Sequence, residues 1–155
     1  MKKDIDLAYT PTWCPGCGNF GIFNALRKAF DTLGLDLEQT VLVTGIGCSS
    51  KISQYVNLYR IETLHGRTLP VATGVKLANH RLTVIAEGGD GDGLGLGMGH
   101  FIHTARRNID ITYLIHNNQI YGLTKGQASP TSDRGAITKF TPPPLGNIEQ
   151  PVNIV

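Results

Sequence analysis

Apolar residues in the first third of the chain predict a helix and then a strand. A stripe at helical spacing begins after Asn19 and ends at Gly34, a residue type that commonly follows the last turn of a helix. The stripe consists of Ile22, Phe23, Leu26, Ala29, Phe30 and Leu33. Residues 40–44 form an apolar, β-branched run, which predicts a short buried strand leading into a loop over residues 45–50. Residues 1–18 are rich in turn formers and predict a loop.

The middle of the chain continues this alternation of helices and strands. A second helix is predicted from Pro70 onward, because apolar residues recur there at helical spacing. Its inward-facing positions are Val71, Val75 and Ala78. Residues 82–87 and 111–116 predict two further strands, and residues 100–106 predict a helix between them. The core residues expected around that helix are Met98, Phe101 and Ile102. From Asn117 onward the sequence predicts a loop.

The order of these elements predicts the fold class. Strands that alternate with crossover helices pair in parallel and with right-handed connections. The sequence therefore predicts an α/β fold, an open and mostly parallel sheet flanked by helices, which binds ligands beyond the carboxyl ends of its strands. Residues 1–155 are expected to form a single domain, and the absence of a closing element predicts that this domain is incomplete at its C-terminus.

Composition and charge exclude several classes of protein. Apolar residues make up 41% of the chain and charged residues 17%, which excludes a disordered chain. The net charge of +2 is dispersed, so no basic stripe predicts binding to nucleic acid. No apolar run is long enough to span a membrane. No secretory signal is recognised near the N-terminus, and we expect a cytoplasmic protein.

Glycine is unusually frequent directly after the predicted strand 82–87. Seven of the 19 glycines lie between Gly88 and Gly99, with Asp90 and Asp92 among them. A Walker loop is excluded because no Gly-Lys-Ser/Thr follows, and the glycine spacing does not match the dinucleotide-binding fingerprint. A Ca²⁺ loop is excluded because its twelfth position would be Phe101. A hard cation bridged to a phosphate remains.

The residues needed for such a Mg²⁺ site follow two neighbouring strands. Asp90 supplies a carboxylate, and Gly91 lets the backbone approach a diphosphate. Asn117 and Asn118 end the next predicted strand, where an amide oxygen can complete the coordination. Glycine-rich turns and asparagine at strand ends are also common without any cofactor, so the spacing alone leaves both interpretations open.

The surrounding sequence resembles a known family. A Gly-Asp-Gly motif followed about thirty residues later by Asn-Asn is similar to the motif that binds thiamine diphosphate through Mg²⁺. The longer segments that carry the resemblance are residues 13–18, 65–67, 89–92, 103–108 and 117–131. Together they resemble the β subunit of 2-oxoacid:ferredoxin oxidoreductases, from about Thr12 to the C-terminus.

The resemblance implies a set of site residues. The Mg²⁺ ligands implied are Asp90, Asn118 and the carbonyl group of Ile120. The cofactor-binding residues implied are Ile46, Gly47, Cys48, Ser49, His65, Gly91, Asp92, Gly122 and Leu123. The position of His65 rests on the resemblance alone, since an isolated histidine is more often an ordinary polar residue. Neither Glu62 nor Glu87 is assigned the role of the carboxylate that activates the cofactor.

Three cysteines are candidate metal ligands. Cys14 and Cys17 form a CxxC motif behind a loop instead of a strand, which argues against a thioredoxin-like site. Cys48 lies in the loop after the first strand, so three thiolates could meet at zinc or at an iron–sulfur cluster, or Cys48 could be an inert core residue. The resemblance implies that these three cysteines and a fourth one hold a [4Fe-4S] cluster. The chain contains no fourth cysteine.

The implied reaction is the coenzyme A-dependent oxidative decarboxylation of a 2-oxoacid, with electrons passed through the cluster to ferredoxin. The chain would supply the diphosphate side of the cofactor site, and an α subunit in a heterodimer would supply the pyrimidine side.

Two alternatives remain open: a cluster-free thiamine diphosphate-dependent decarboxylase or synthase, and a non-enzymatic zinc-binding module. For the substrate pocket we expect Leu123 and Lys125. Unless Lys125 is simply solvated, its charge favours 2-oxoglutarate, or a broad range of 2-oxoacids that includes it, over pyruvate alone.

Overall fold

The computed structural model describes residues 9–154, so part of the loop predicted over residues 1–18 lies outside the described residues. The helices are α1 (Asn19–Leu33), α2 (Thr68–Ala78) and α3 (Met98–Arg107), with 3₁₀ turns at Leu37–Gln39 and Ser50–Tyr55 and a π-helix at Gly91–Leu96. The strands are β1 (Thr40–Thr44), β2 (Tyr59–Glu62), β3 (Thr83–Gly89), β4 (Thr112–His116), β5 (Ile120–Tyr121) and β6 (Gln127–Ala128). Within the described part of the chain, no helix is long and apolar enough to cross a membrane.

The first four strands form one parallel sheet in the order β2-β1-β3-β4. Helices flank the sheet, which confirms the predicted α/β architecture. In the pairing, Thr44 lies beside Glu87 and Gly89 lies beside His116. The carboxyl ends of β1, β3 and β4 therefore meet at one edge. The two short strands β5 and β6 form a separate antiparallel hairpin.

Each face of the sheet has its own core, because alternate residues of a strand point to opposite faces. On one face Leu42 and Ile85 pack against Leu26 and Phe30 of α1, together with Trp13. On the other face α2 and α3 cover the sheet. The residues of that second core include Val41, Val43, Leu69, Ala72, Val84 and Ala86, with Phe101 packed against it.

Most predicted elements are present, with shifted boundaries. The helix ending at Gly34 is confirmed, since Gly34 has a φ of 60° and caps α1. The strand at residues 40–44 is confirmed. Helix α2 begins at Thr68, two residues before Pro70, because a proline in the first turn removes only an N–H group that has no partner inside the helix.

Several positions predicted to face the core are exposed. These are Ala29, Leu33, Ala78 and Ile102. On each of α1, α2 and α3, the face that packs against the sheet is narrower than the apolar face predicted from the sequence. Strand β2 was not predicted, because all four of its residues are exposed and its sequence lacks an apolar run. The hairpin of β5 and β6 falls where a loop was predicted, and the glycine cluster coils into a π-helix.

One carboxylate is fully buried in the sheet. Glu87 is 0% exposed and shares the α1 face with His116 on the adjacent strand. The Nε2 atom of His116 lies 2.6 Å from Oε1 of Glu87. Burial raises the pKa of Glu87, while the hydrogen bond and the charge of His116 lower it. A buried charge of this kind is tolerated only when a partner of opposite charge accompanies it.

We predict that His116→Ala destabilises the protein in a pH-dependent manner. At neutral pH the variant should lose about 3–5 kcal/mol of unfolding free energy, because Glu87 is left without its partner. Because burial raises the pKa of Glu87, the folded protein accommodates its protonated, neutral form more easily than its charged form. The deficit should therefore be smallest where Glu87 is protonated in both folded proteins. It should grow as the pH rises through the raised pKa of Glu87, because the variant lacks the lowering effect of His116 and holds that proton to a higher pH.

Urea unfolding across this pH range checks the prediction, with His80→Ala at an exposed position as the matched control. A deficit that stays constant with pH would mean that only packing was lost.

Candidate functional site

A cleft of about 340 Å³ opens at the carboxyl edge of the sheet. It is lined by nearly all of the residues predicted for the site: Cys14, Cys17, Ile46, Gly47, Cys48, Ser49, His65, Asp90, Gly91, Asp92, Asn118, Ile120, Gly122 and Leu123. Lys125 is not among the lining residues, and its side chain is exposed. The assignment of Lys125 to the substrate therefore stays a prediction with no contact that supports it.

Asp90 is a buried carboxylate held by two hydroxyl groups. It is 2% exposed, and its Oδ2 atom accepts hydrogen bonds from Ser129 Oγ at 2.5 Å and Thr131 Oγ1 at 2.7 Å. Thr131 Oγ1 also lies 2.7 Å from Oδ1 of Asn117. Among the described residues, no hydrogen bond is made to Oδ1 of Asp90. The carboxylate is thus fixed in orientation with one oxygen left for a cation.

The turn after β4 brings a second oxygen donor to the same cleft. Asn118 Oδ1 accepts a hydrogen bond from the N–H group of Ile120 at 3.1 Å, which shapes the turn and leaves the second lone pair of the oxygen unused. Asp90, Asn118 and the carbonyl group of Ile120 together offer a carboxylate, an amide and a backbone oxygen. Mg²⁺ prefers this kind of hard donor and completes its shell with phosphate oxygens. The donor set fits the predicted cation.

The carboxylate of Asp92 is used to connect loops. Its Oδ1 atom accepts hydrogen bonds from the N–H groups of Gly66 at 2.8 Å and Ile46 at 3.2 Å, and lies 3.2 Å from Nδ1 of His65. Its Oδ2 atom accepts a hydrogen bond from Thr68 Oγ1 at 3.3 Å. Asp92 was predicted as a cofactor contact from the resemblance. Since protein donors surround its carboxylate, any such contact is left to its backbone.

Tyr121 fastens the β4 turn to the glycine cluster. Its hydroxyl group donates a hydrogen bond to the carbonyl oxygen of Gly91 at 3.0 Å, and a Cβ atom on Gly91 would overlap the ring. Burial, and then the charges of Asp90 and Asp92, raise the pKa of Tyr121. Gly91 therefore has to be glycine for Tyr121 to pack on it, and only its backbone is free to contact a diphosphate.

The three cysteines line the cleft, Cys14 and Cys17 from the loop before α1 and Cys48 from the loop after β1. All are free thiols, with Cys14 exposed and the other two half-buried. The N–H group of Cys17 donates to the carbonyl oxygen of Cys14 at 3.0 Å, and Trp13 Nε1 donates to the carbonyl oxygen of Cys48 at 2.6 Å. Burial raises the pKa of Cys48, an effect that the nearby charge of Lys51 opposes.

The spacing of these thiols bears on which metal group they suit. Across residues 9–154, no group of three or more His, Cys, Asp or Glu side chains is close enough to hold one metal ion. Cysteines that bind a cluster are attached to different iron atoms, so they share one wall without converging on a point. Cys14, Cys17 and Cys48 line one cleft, and, besides burial, the charges of Cys17 and Cys14 contribute to the raised pKa of Cys48.

Sequence reasoning gave no role to four residues that matter here. Ser129 and Thr131 fix Asp90 from about forty residues away, and His116 and Asn19 line the cleft. Their hydroxyl, imidazole and amide groups carry no local pattern that would indicate a site. Only the pairing of β3 with β4, and the return of the chain after β6, brings them to it.

Comparisons with known proteins agree with this geometry. Residues 45–155 match the family model described as thiamine pyrophosphate enzyme, C-terminal TPP binding domain. The β subunit of 2-oxoacid:ferredoxin oxidoreductase 1 from Aeropyrum pernix is 57% identical over 141 residues, covering 91% of this chain and 44% of that protein. The 2-oxoglutarate oxidoreductase subunit KorB from Mycobacterium tuberculosis is 47% identical over 153 residues, covering 99% of this chain and 40% of that one.

A solved structure shows the same fold. The 2-oxoglutarate:ferredoxin oxidoreductase from Magnetococcus marinus, with 2-oxoglutarate, coenzyme A and succinyl-CoA bound, superposes with a TM-score of 0.93 at 47% identity. The match covers 97% of this chain and 51% of that one. The chain spans about half the length of the curated relatives it matches. The resemblance to these β subunits is confirmed, and the chain belongs to the thiamine pyrophosphate enzymes with a C-terminal TPP-binding domain.

Proposed function

We propose that this chain is the cofactor-binding part of the β subunit of a 2-oxoacid:ferredoxin oxidoreductase. The enzyme would decarboxylate a 2-oxoacid oxidatively, form an acyl-CoA, and pass electrons through a [4Fe-4S] cluster to ferredoxin. The observation that carries the proposal is that Asp90, Asn118 and the three cysteines line one cleft. An α subunit would complete the cofactor site. The free thiols suit a reducing compartment, which for this enzyme we propose is the cytoplasm.

The chain's own residues would bind and orient the cofactor. Asp90 and Asn118, with the carbonyl group of Ile120, would hold Mg²⁺ against the diphosphate. The hydroxyl groups of Ser129 and Thr131 keep the Asp90 carboxylate in one orientation, as outer-shell hydrogen bonds do at other metal sites. When bound, thiamine diphosphate supplies the electron sink that decarboxylation of a 2-oxoacid requires.

Cys48 lies next to the turn after β4 that carries Asn117 and Asn118, which we call the metal turn. A Cβ atom on Gly122 would come within 3.8 Å of Cys48 Sγ and 3.6 Å of Asn118 Nδ2. A cluster bound through Cys48 would therefore be close to the cofactor, which shortens the path for electrons. A cluster-free decarboxylase would have no use for a thiol beside the turn that carries Asn118, so the closeness of Cys48 to Gly122 favours the oxidoreductase.

For the substrate we propose a 2-oxoacid, with 2-oxoglutarate as the first one to test. The relatives include subunits named for 2-oxoglutarate, and the solved structure was obtained with 2-oxoglutarate bound. Leu123 lines the cleft and is 46% exposed, so it can contact the carbon chain of a substrate. Lys125 lies beyond the lining, so its contact with a distal carboxylate depends on a change of position or on the partner subunit.

We predict that Asp90→Ala weakens the binding of thiamine diphosphate in the presence of Mg²⁺. The dissociation constant, measured by calorimetry on the assembled full-length enzyme, should rise by about 100-fold or more, because the carboxylate ligand is lost. Asp31→Ala removes an exposed carboxylate from α1 and is the matched control. Equal dissociation constants for the two variants would exclude Asp90 as a metal ligand.

We predict that Cys48→Ser lowers the iron content of the anaerobically prepared full-length enzyme and the absorption of its cluster. A serine hydroxyl is a poor ligand for iron in a cluster, which is held by thiolates. Iron analysis and visible spectra provide the measurement, and thiamine diphosphate affinity in the same sample shows whether the cleft is intact. Unchanged iron would make Cys48 a packing residue and leave the cluster to other ligands, whereas an unsubstituted enzyme without iron would favour the cluster-free alternative.

A further inference from the structure

Three polar side chains connect the centre of the sheet to the start of α1. Glu87 on β3 contacts Nε2 of His116 at 2.6 Å, and Nδ1 of His116 lies 3.0 Å from Oδ1 of Asn19. We call these residues the Glu87–His116–Asn19 chain. With the amide oxygen as acceptor, His116 donates from Nδ1, and its Nε2 either donates to Glu87 or accepts from it. The pair keeps the same total charge in both forms.

Each end of this chain is next to one of the two groups of proposed ligands. His116 directly precedes Asn117 and Asn118 of the metal turn. Asn19 is two residues after Cys17, and the N–H group of Phe20 donates to the carbonyl oxygen of Cys17 at 3.2 Å. This hydrogen bond connects the first turn of α1 to residues 14–17, which we call the cysteine loop. His116 contacts that same turn through Asn19.

Little else of a polar kind fixes the beginning of α1. Its N-cap residue is Gly18, and no side chain caps the helix there. Among the described residues, the hydrogen-bond partner of the Asn19 side chain is Nδ1 of His116. Both residues line the cleft, so this contact links the loop before α1 to the carboxyl end of β4 at the cleft.

We propose that the Glu87–His116–Asn19 chain sets the cysteine loop against the metal turn, with His116 and Asn19 as positioning residues. The proposal rests on the proposed function, since it assumes a cluster on the cysteines. Glu87, buried in the sheet, holds the imidazole. The imidazole in turn holds the amide of Asn19. That amide fixes the C-terminal end of the cysteine loop, while Trp13, which is buried and whose Nε1 donates to the carbonyl oxygen of Cys48, fixes the other end.

The reduction potential of the cluster would report such positioning. Cluster potentials depend on the hydrogen bonds around the sulfur atoms and on solvent exposure. A loosened cysteine loop admits water, and water favours the more highly charged, reduced state of an anionic cluster. Releasing Asn19 should therefore raise the potential, whereas a residue that only stabilises the fold would leave it unchanged.

The test uses Asn19→Ala in the full-length enzyme with its α subunit, prepared anaerobically. Asn19 is half-buried and is not a helix cap, so its loss leaves the fold in place. Asn24→Ala, at an exposed position of the same helix, is the matched control. The measurements are iron content, thiamine diphosphate affinity by calorimetry, and the cluster potential by redox titration followed by electron paramagnetic resonance.

We expect Asn19→Ala to change the one-electron reduction equilibrium of the cluster at least threefold, or roughly 28 mV at 59 mV per tenfold. Loss of iron in Asn19→Ala alone would support the same conclusion. A potential equal to that of the control, with normal iron, would overturn the positioning role and leave the proposed function intact. No cluster in the unsubstituted enzyme would overturn both.

Discussion

The cleft depends on one buried carboxylate, that of Asp92, which connects three segments of the chain. Asp92 accepts hydrogen bonds from the N–H groups of Ile46 and Gly66, which belong to the loops after β1 and β2. These loops and the glycine cluster are brought together by that group of bonds. Gly45 packs so closely on the carboxylate that a Cβ atom there would overlap it. Hydrogen bonds to a charged acceptor are stronger than neutral ones, which suits a buried junction of three segments.

The parallel sheet fixes the positions of the proposed Mg²⁺ ligands next to this junction. Because β3 and β4 are neighbours, Asp90 and Asn118 follow strands that end side by side. The outer hydroxyl groups then restrict Asp90 to one orientation, and Tyr121 closes the turn over Gly91. A preorganised donor set binds a cation with less loss of side-chain freedom than a flexible one. The glycines serve this packing as much as they serve a ligand.

The sequence was sufficient for those parts of the site that local pattern determines. Asp90 and Asn118 could be paired because each follows an apolar strand, and parallel strands bring such ends together. Ser129 and Thr131 could not be identified as partners of Asp90, because no sequence pattern relates a hydroxyl group to a carboxylate about forty residues away. Strand β2 was missed because its side chains are exposed, and its place in the sheet depends on pairing with β1. The role of Asp92 in connecting loops could not be predicted either, because the loops that surround its carboxylate are distant in sequence.

The central claim is that one cleft holds a divalent cation with thiamine diphosphate and an iron–sulfur cluster beside it. The most direct measurement replaces Mg²⁺ by Mn²⁺ in the anaerobic full-length enzyme and records the Mn²⁺ paramagnetic resonance with the cluster oxidised and reduced. The account predicts that cluster reduction speeds the relaxation of the Mn²⁺ signal, because the two centres share the cleft. A bound Mn²⁺ whose signal is the same in both states, in a sample that contains the cluster, would contradict it.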